Sequence, residues 1–197
     1  MSEDFVYLNP LAKPTKPQDP YLPRLRIEGA VRIAQYPNLF TDSAPFLADV
    51  VEALKPSVPA ATFPYFDKQF GRYMSTPASP ELRARMLAES DAVVLAYGHC
   101  GSCTSGVVHD GVLLARAGMP VAVLVTERFR EEAVFLARAL GLPGLPFVFL
   151  PHPVAGQDAA YHRALAQAIA PRVLLALTQG QSSDATRILQ DGLVAAA

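Results

Sequence analysis

The stretch AVVLAYGHCGSCTSGVVHDGVLLARAGMP, residues 92–120, decides the fold. Its first six residues, Ala92-Val93-Val94-Leu95-Ala96-Tyr97, are an unbroken apolar run of strand length, the pattern of a strand buried on both faces. Gly98 opens a loop, and residues 104–117 then carry a helical pattern that stops at Gly118, with Pro120 just beyond. A buried strand that turns through glycines into a helix is half of a βαβ unit.

Toward the C-terminus the same grammar repeats. Residues 121–126 are a second buried run, residues 128–140 a helix closed by Gly141, and residues 147–150 a short strand broken by Pro151 and Pro153. Two helices follow, over 158–169 and 171–178, divided at Pro171. Asp184 is a candidate cap for a short helix over 185–189. Toward the N-terminus, Ser79 and Pro80 supply an N-cap and a first-turn proline for a helix reaching Glu89. Residues 60–66 are β-prone, although Pro64 demotes them to an edge strand. Residues 45–54 read as a helix with Ser43 as its N-cap and Phe46, Val50 and Leu54 on one face. Residues 31–36 alternate with period two and read as a strand. Before them, residues 1–28 hold five prolines and predict an extended arm, whose Phe5, Tyr7 and Tyr21 pack on the body or on a neighbouring subunit.

Five strands alternating with helices, joined by connections too long for hairpins, predict a mostly parallel sheet covered on both faces. The fold class is α/β, a flavodoxin-like three-layer sandwich, with one domain over 29–197 behind the arm. In such sheets ligands bind beyond the carboxyl ends of the strands, near the point where strand order reverses. The loop over 98–105 leaves the carboxyl end of the central strand and carries the chain's two cysteines to that place.

Composition narrows the classes. The chain has 197 residues, 51% of them hydrophobic and only 18% charged, against a usual charged share of about 25%. A surface so poor in charge predicts a homo-oligomer or a subunit of a complex. With 17 basic and 18 acidic residues the formal charge is −1, so no electrostatic footprint for nucleic acid or a membrane surface exists. No apolar run reaches 18 residues, which excludes a transmembrane helix. The acidic start, Met1-Ser2-Glu3-Asp4, leads into no signal-peptide core, and a cytoplasmic location is expected.

Cys100 and Cys103, three residues apart, are the only cysteines. A secreted disulfide scaffold needs more, so the pair reads as chemistry. At a loop-to-helix junction, unpaired amide N–H groups favour a thiolate over a thiol. His99, Gly101, Ser102, Thr104 and Ser105 surround the pair in sequence and are candidate substrate contacts. Zinc is the alternative, with Cys100, Cys103 and His99 or His109 as ligands, but no second ligand pair completes a structural site. Phosphate-loop, dinucleotide-binding and serine-elbow motifs are all missing, so no cofactor is predicted. Thr126 and Glu127 end one neighbouring strand and His152 follows another. His152 is a candidate general base or thiolate partner, and Glu127 a candidate orienting or proton-relaying group. Asn38, following the first strand, is a further candidate contact. His109 and Asp110 lie deeper in the helix, where Asp110 either faces the loop or is solvated. His162 reads as a surface residue in the middle of a helix.

Cys-Gly-Ser-Cys-Thr-Ser at 100–105, followed by Val108-His109-Asp110, resembles the UGSC-motif family, in which selenocysteine often fills the first cysteine position. The likeness extends through Pro23-Arg24-Leu25, Gly118-Met119-Pro120, Thr126-Glu127-Arg128-Phe129 and Pro151-His152-Pro153, about residues 23–178. The resemblance implies that Cys100 attacks and Cys103 resolves, and that the chemistry is redox. It also implies a distant likeness to the selenocysteine loops of glycine and proline reductase subunits. Family members carry an Asn-Lys pair after the first strand, where this chain has Pro37-Asn38-Leu39-Phe40-Thr41. If that loop meets substrate, a different substrate is implied.

Three functions follow as expectations. The first is a thiol oxidoreductase acting on a small electrophilic substrate, recharged by a low-molecular-weight thiol or a thioredoxin-like donor. The second is a lyase, isomerase or hydrolase using Cys100 with His152 as base, in which Cys103 is dispensable; Cys-Thr-Ser-Gly also resembles the cysteine loops of aspartate racemase-like isomerases. The third is an accessory subunit docked by its arm, with metal on the cysteines.

Overall fold

The computed structural model describes residues 17–68 and 73–180. Four parallel strands make one sheet, β1 (Ile33–Pro37), β2 (Ala92–Gly98), β3 (Val121–Thr126) and β4 (Phe147–Leu150), paired in that order. The helices are α1 (Ser43–Leu54), α2 (Pro80–Glu89), α3 (Gly101–Arg116), α4 (Arg130–Ala139) and α5 (Ala159–Gln179). The expected fifth strand is reduced to two parallel bridges on the outer edge of β1, Arg32 to Thr62 and Gln35 to Tyr65. With this edge segment counted second, the spatial order is the flavodoxin-like 2-1-3-4-5, and it reverses between β1 and β2.

Successive strand side chains point to opposite faces, and both faces are covered. Val94, Ala96, Leu124 and Val148 enter one core with Phe46, Leu47 and Val50 of α1 and Leu165, Ile169 and Val173 of α5. Val93, Leu95, Val123 and Phe149 enter the other with Met86 of α2, Val108 of α3 and Ala133 of α4. Every residue of β2 and β3 is buried, so their apolar runs show no alternation. Each such valine or leucine stabilises the fold by about 1.5–3 kcal/mol relative to exposure.

The boundaries differ from the sequence reading in instructive ways. Ser79 does cap α2, its Oγ accepting the Leu82 N–H at 3.2 Å. Ser43 does not cap α1. Asp42 holds the cap position, and Ser43 Oγ instead donates to the carbonyls of Asn38 and Phe40. The two expected C-terminal helices are one, α5, which runs through Pro171. Pro171 and Gln167, whose carbonyl loses its partner, are both exposed, so water can take that bond, while Ile169, Ala170 and Val173 stay buried. His162 is not a surface residue. It is buried against the Phe46 ring, and its Nε2 bonds the Val154 carbonyl at 2.9 Å.

The described part of the arm packs on the body. Tyr21 is buried with its hydroxyl accepting the Val121 N–H at 2.9 Å, and the Leu25 N–H bonds the Leu177 carbonyl. Phe5, Tyr7 and the helix candidate at 185–189 lie outside the described residues. No helix among the described residues is long and apolar enough to cross a membrane.

Asp91 fastens the start of β2 to β1, accepting from the Arg32 backbone N–H and guanidinium, each at 2.8 Å. The hydrogen bond from the Arg32 side chain holds the Asp91 carboxyl below its ordinary 3.8. The stabilisation is complete above that ordinary value and is lost as pH falls through the depressed one. Asp91→Asn is therefore expected to lower the melting temperature slightly at neutral pH. The gap to the wild type should close in thermal scans carried below the carboxylate range.

Candidate active site

Four loops meet beyond the carboxyl ends of the strands. Asn38, after β1, donates its side-chain amide to the Tyr97 carbonyl at 2.7 Å. Asp42 accepts the Gly156 N–H from the loop after β4 at 2.7 Å. His99, after β2, accepts from the Val154 and Ala155 N–H groups at 3.3 Å each. Thr126, at the end of β3, bonds His152 Nδ1 through its Oγ1 at 3.2 Å.

The cysteine loop sits at the centre of this rim because glycine lets α3 begin against the sheet. A Cβ on Gly98 would stand 2.8 Å from Thr104 Oγ1 and 3.1 Å from Val125. Helix α3 starts at Gly101, earlier than the helical pattern suggests, and Cys100 is its N-cap. Cys100 Sγ accepts the Cys103 N–H at 3.2 Å and lies 3.4 Å from Ser102 Oγ. The two cysteines are joined as a disulfide, with Cα atoms 5.2 Å apart. Cys100 is partly exposed, whereas Cys103 is fully buried and its sulfur touches Met74 Sδ at 3.2 Å. When the bond opens, a thiolate on Cys100 keeps a backbone hydrogen bond at the positive end of a 16-residue helix.

His99 and His152 stack with ring centroids 4.5 Å apart. Because His99 Nε2 accepts two amide hydrogens, its proton is assigned to Nδ1 and the ring is neutral. Burial lowers its pKa, as does the neighbouring His152, with Asp42 opposing. Burial and then Arg128 lower that of His152. Both rings are therefore neutral at neutral pH; the lone pair of His99 is taken by the two amides, which leaves His152 as the candidate proton acceptor.

The other expected residues divide. Ser102 and Gly101 are exposed beside the disulfide, and Thr126 is buried behind His152. Asn38 is buried, with its carboxamide oxygen accepting the Phe40 N–H, so it ties β1 to the rim with both ends of its side chain. Thr104 is buried beneath Gly98 with no hydrogen-bond partner for Oγ1. Glu127 forms a two-pronged ion pair with Arg130 at 2.5 and 2.9 Å, an arrangement that orients Arg130. His109 turns back on its own helix, Nδ1 bonding the Ser105 carbonyl at 2.8 Å. Asp110 neither faces the loop nor is solvated: it is fully buried and paired with Lys68 at 3.2 Å. Among the described residues no three His, Cys, Asp or Glu side chains cluster as metal ligands.

Residues that sequence reasoning passed over complete the site. Glu132 of α4 borders the loop, its carboxylate 3.6 Å from where a side chain at Gly101 would begin, and burial raises its pKa. Asp42, Lys68 and Met74 also reach the rim or α3, from loops that carry no motif. A groove of about 650 Å³ lies at the opposite end of the sheet, between the arm and Gly118. Its charged groups, Arg116 and Asp19, are paired with each other, and it holds no nucleophile.

No curated protein matches the sequence. A family model does, that of the UGSC family, over residues 6–179. The match includes the whole sheet, the disulfide and every loop of the rim, and the chain belongs to the UGSC family.

Proposed function

We propose that the protein is a thiol oxidoreductase that reduces a small electrophilic substrate in the cytoplasm. The observation that carries this reading is the disulfide at the start of α3, with one sulfur reachable and hydrogen-bonded and the other buried behind it. In the reduced protein the Cys100 thiolate attacks the electrophilic atom, and the leaving group departs with the electron pair and one thiol proton. Cys103 then attacks Cys100 Sγ, and the bound fragment leaves with the second electron pair and proton. The substrate gains two electrons, and the enzyme is left as the Cys100–Cys103 disulfide. A dithiol donor, thioredoxin-like or of low molecular weight, restores it by exchange.

The test is thiol counting by mass spectrometry across glutathione redox buffers. The expected result is one intramolecular bond, Cys100 to Cys103, forming and breaking at a potential within about −180 to −300 mV. If no such bond forms under oxidation while Cys100 still reacts rapidly, redox cycling is refuted in favour of a single-cysteine nucleophile.

A further inference from the structure

We propose that Lys68 is a positioning residue for the redox pair: its buried ammonium stabilises Cys103 as a thiolate when the disulfide opens. The inference rests on the oxidoreductase reading above and adds to it the group that sets the equilibrium.

Lys68 and Asp110 form an ion pair in which each side chain is only 1% exposed. A buried pair of this kind is weak evidence for stability, because desolvating two charges offsets most of their attraction. Its placement is more informative. Cys103, Gly106 and Asp110 share one face of α3, with Gly106 about 4.5 Å and Asp110 about 10.5 Å along the axis from Cys103. Lys68 Nζ lies 3.3 Å from where a Cβ on Gly106 would stand, so the cation is level with Gly106, one turn from the buried sulfur. Asp110, which lies one turn beyond Gly106 on the far side from Cys103, supplies the carboxylate that pairs with it at 3.2 Å.

Residues 73–78 are fitted closely to the helix. Met74 accepts the Lys68 ammonium on its carbonyl at 3.1 Å and touches Cys103 Sγ with its own sulfur. The same carbonyl would lie 1.9 Å from a Cβ at position 106, so only glycine allows this approach. The result is a dipole with its positive end toward Cys103, in an environment that screens it poorly. Reduction places negative charge on sulfur and the disulfide carries none, so the cation favours the reduced form.

The test equilibrates wild type, Lys68→Met, Lys68→Met/Asp110→Asn and Lys68→Arg with glutathione redox buffers at about pH 9, above the usual thiol pKa of about 8.5. The fraction oxidised is read by alkylation and mass spectrometry, with circular dichroism as the check on folding. The double variant removes both charges together and carries the test if Lys68→Met alone does not fold. We expect it to shift the equilibrium about tenfold toward the disulfide, ~30 mV, while Lys68→Arg stays within about threefold of wild type. A folded double variant within about twofold of wild type, or Lys68→Arg shifted as far as the double variant, overturns the assignment. A wild type that forms no Cys100–Cys103 bond in these buffers refutes the redox reading itself, a separable result.

Discussion

Cys100→Ser is expected to slow alkylation of the reduced protein by iodoacetamide at neutral pH by about a hundredfold or more, whereas Cys103→Ser leaves it within a few-fold. The difference follows from where α3 begins. Cys100 is the N-cap, so its sulfur receives the Cys103 N–H and the field of the helix start, and it is reachable by solvent. These favour the thiolate, and the pH profile of the Cys103→Ser variant should bend below the ordinary thiol value of about 8.5. The backbone N–H that holds Cys100 survives the Cys103→Ser substitution, so its reactivity should survive too. Cys103 sits under Met74 with no exposed surface, which leaves little for the reagent to reach in Cys100→Ser. With a disulfide reagent, Cys103→Ser should also accumulate a stable mixed disulfide on Cys100, because the resolving sulfur is gone. Equal alkylation rates in the two variants would remove the distinction between attacking and resolving cysteines.

The parts of the fold legible in sequence are those where burial is continuous. β3 and β4 fall where residues 121–126 and 147–150 predict, and β2 extends its predicted run only by Gly98. The start of α3 is hidden in the sequence because Gly101 and Ser102 are weak helix formers and cysteine is not a usual cap. Pro171 reads as a break because the sequence does not show that its missing hydrogen bond faces water. At the site, the motif located the cysteines and the strand ends located His99, Thr126 and His152. Lys68 was illegible for a physical reason. A lone lysine after an edge segment reads as solvated, and only the topology brings it 42 residues along the chain to a carboxylate inside the core. Asp110 reads in sequence as either loop-facing or solvated, because burial with a countercharge depends on Lys68, which only the fold brings to it.

Asp110→Ala is expected to cost about 3–5 kcal/mol of folding stability, the largest loss among the polar residues discussed. Asp110 Oδ2 holds the Lys68 ammonium and Oδ1 accepts the Ala78 N–H at 2.6 Å. Removing the carboxylate leaves a buried cation held by the Met74 carbonyl without its countercharge, and leaves a buried amide without its acceptor. The exposed Arg32–Asp91 pair loses far less when broken, because water replaces the lost partner. Urea unfolding of Asp110→Ala beside Lys68→Met/Asp110→Ala separates charge from packing. The double variant should recover a large part of the loss, since no unpaired cation is left inside. The damage should also reach the site, because residues 73–78 lie against α3 through these contacts and through Met74 on Cys103. In a Cys100→Ser background, Asp110→Ala should therefore speed alkylation of Cys103, the sulfur that the intact segment covers. A stability within about 1 kcal/mol of wild type, with Cys103 still shielded, would show that the pair does not hold this segment in place.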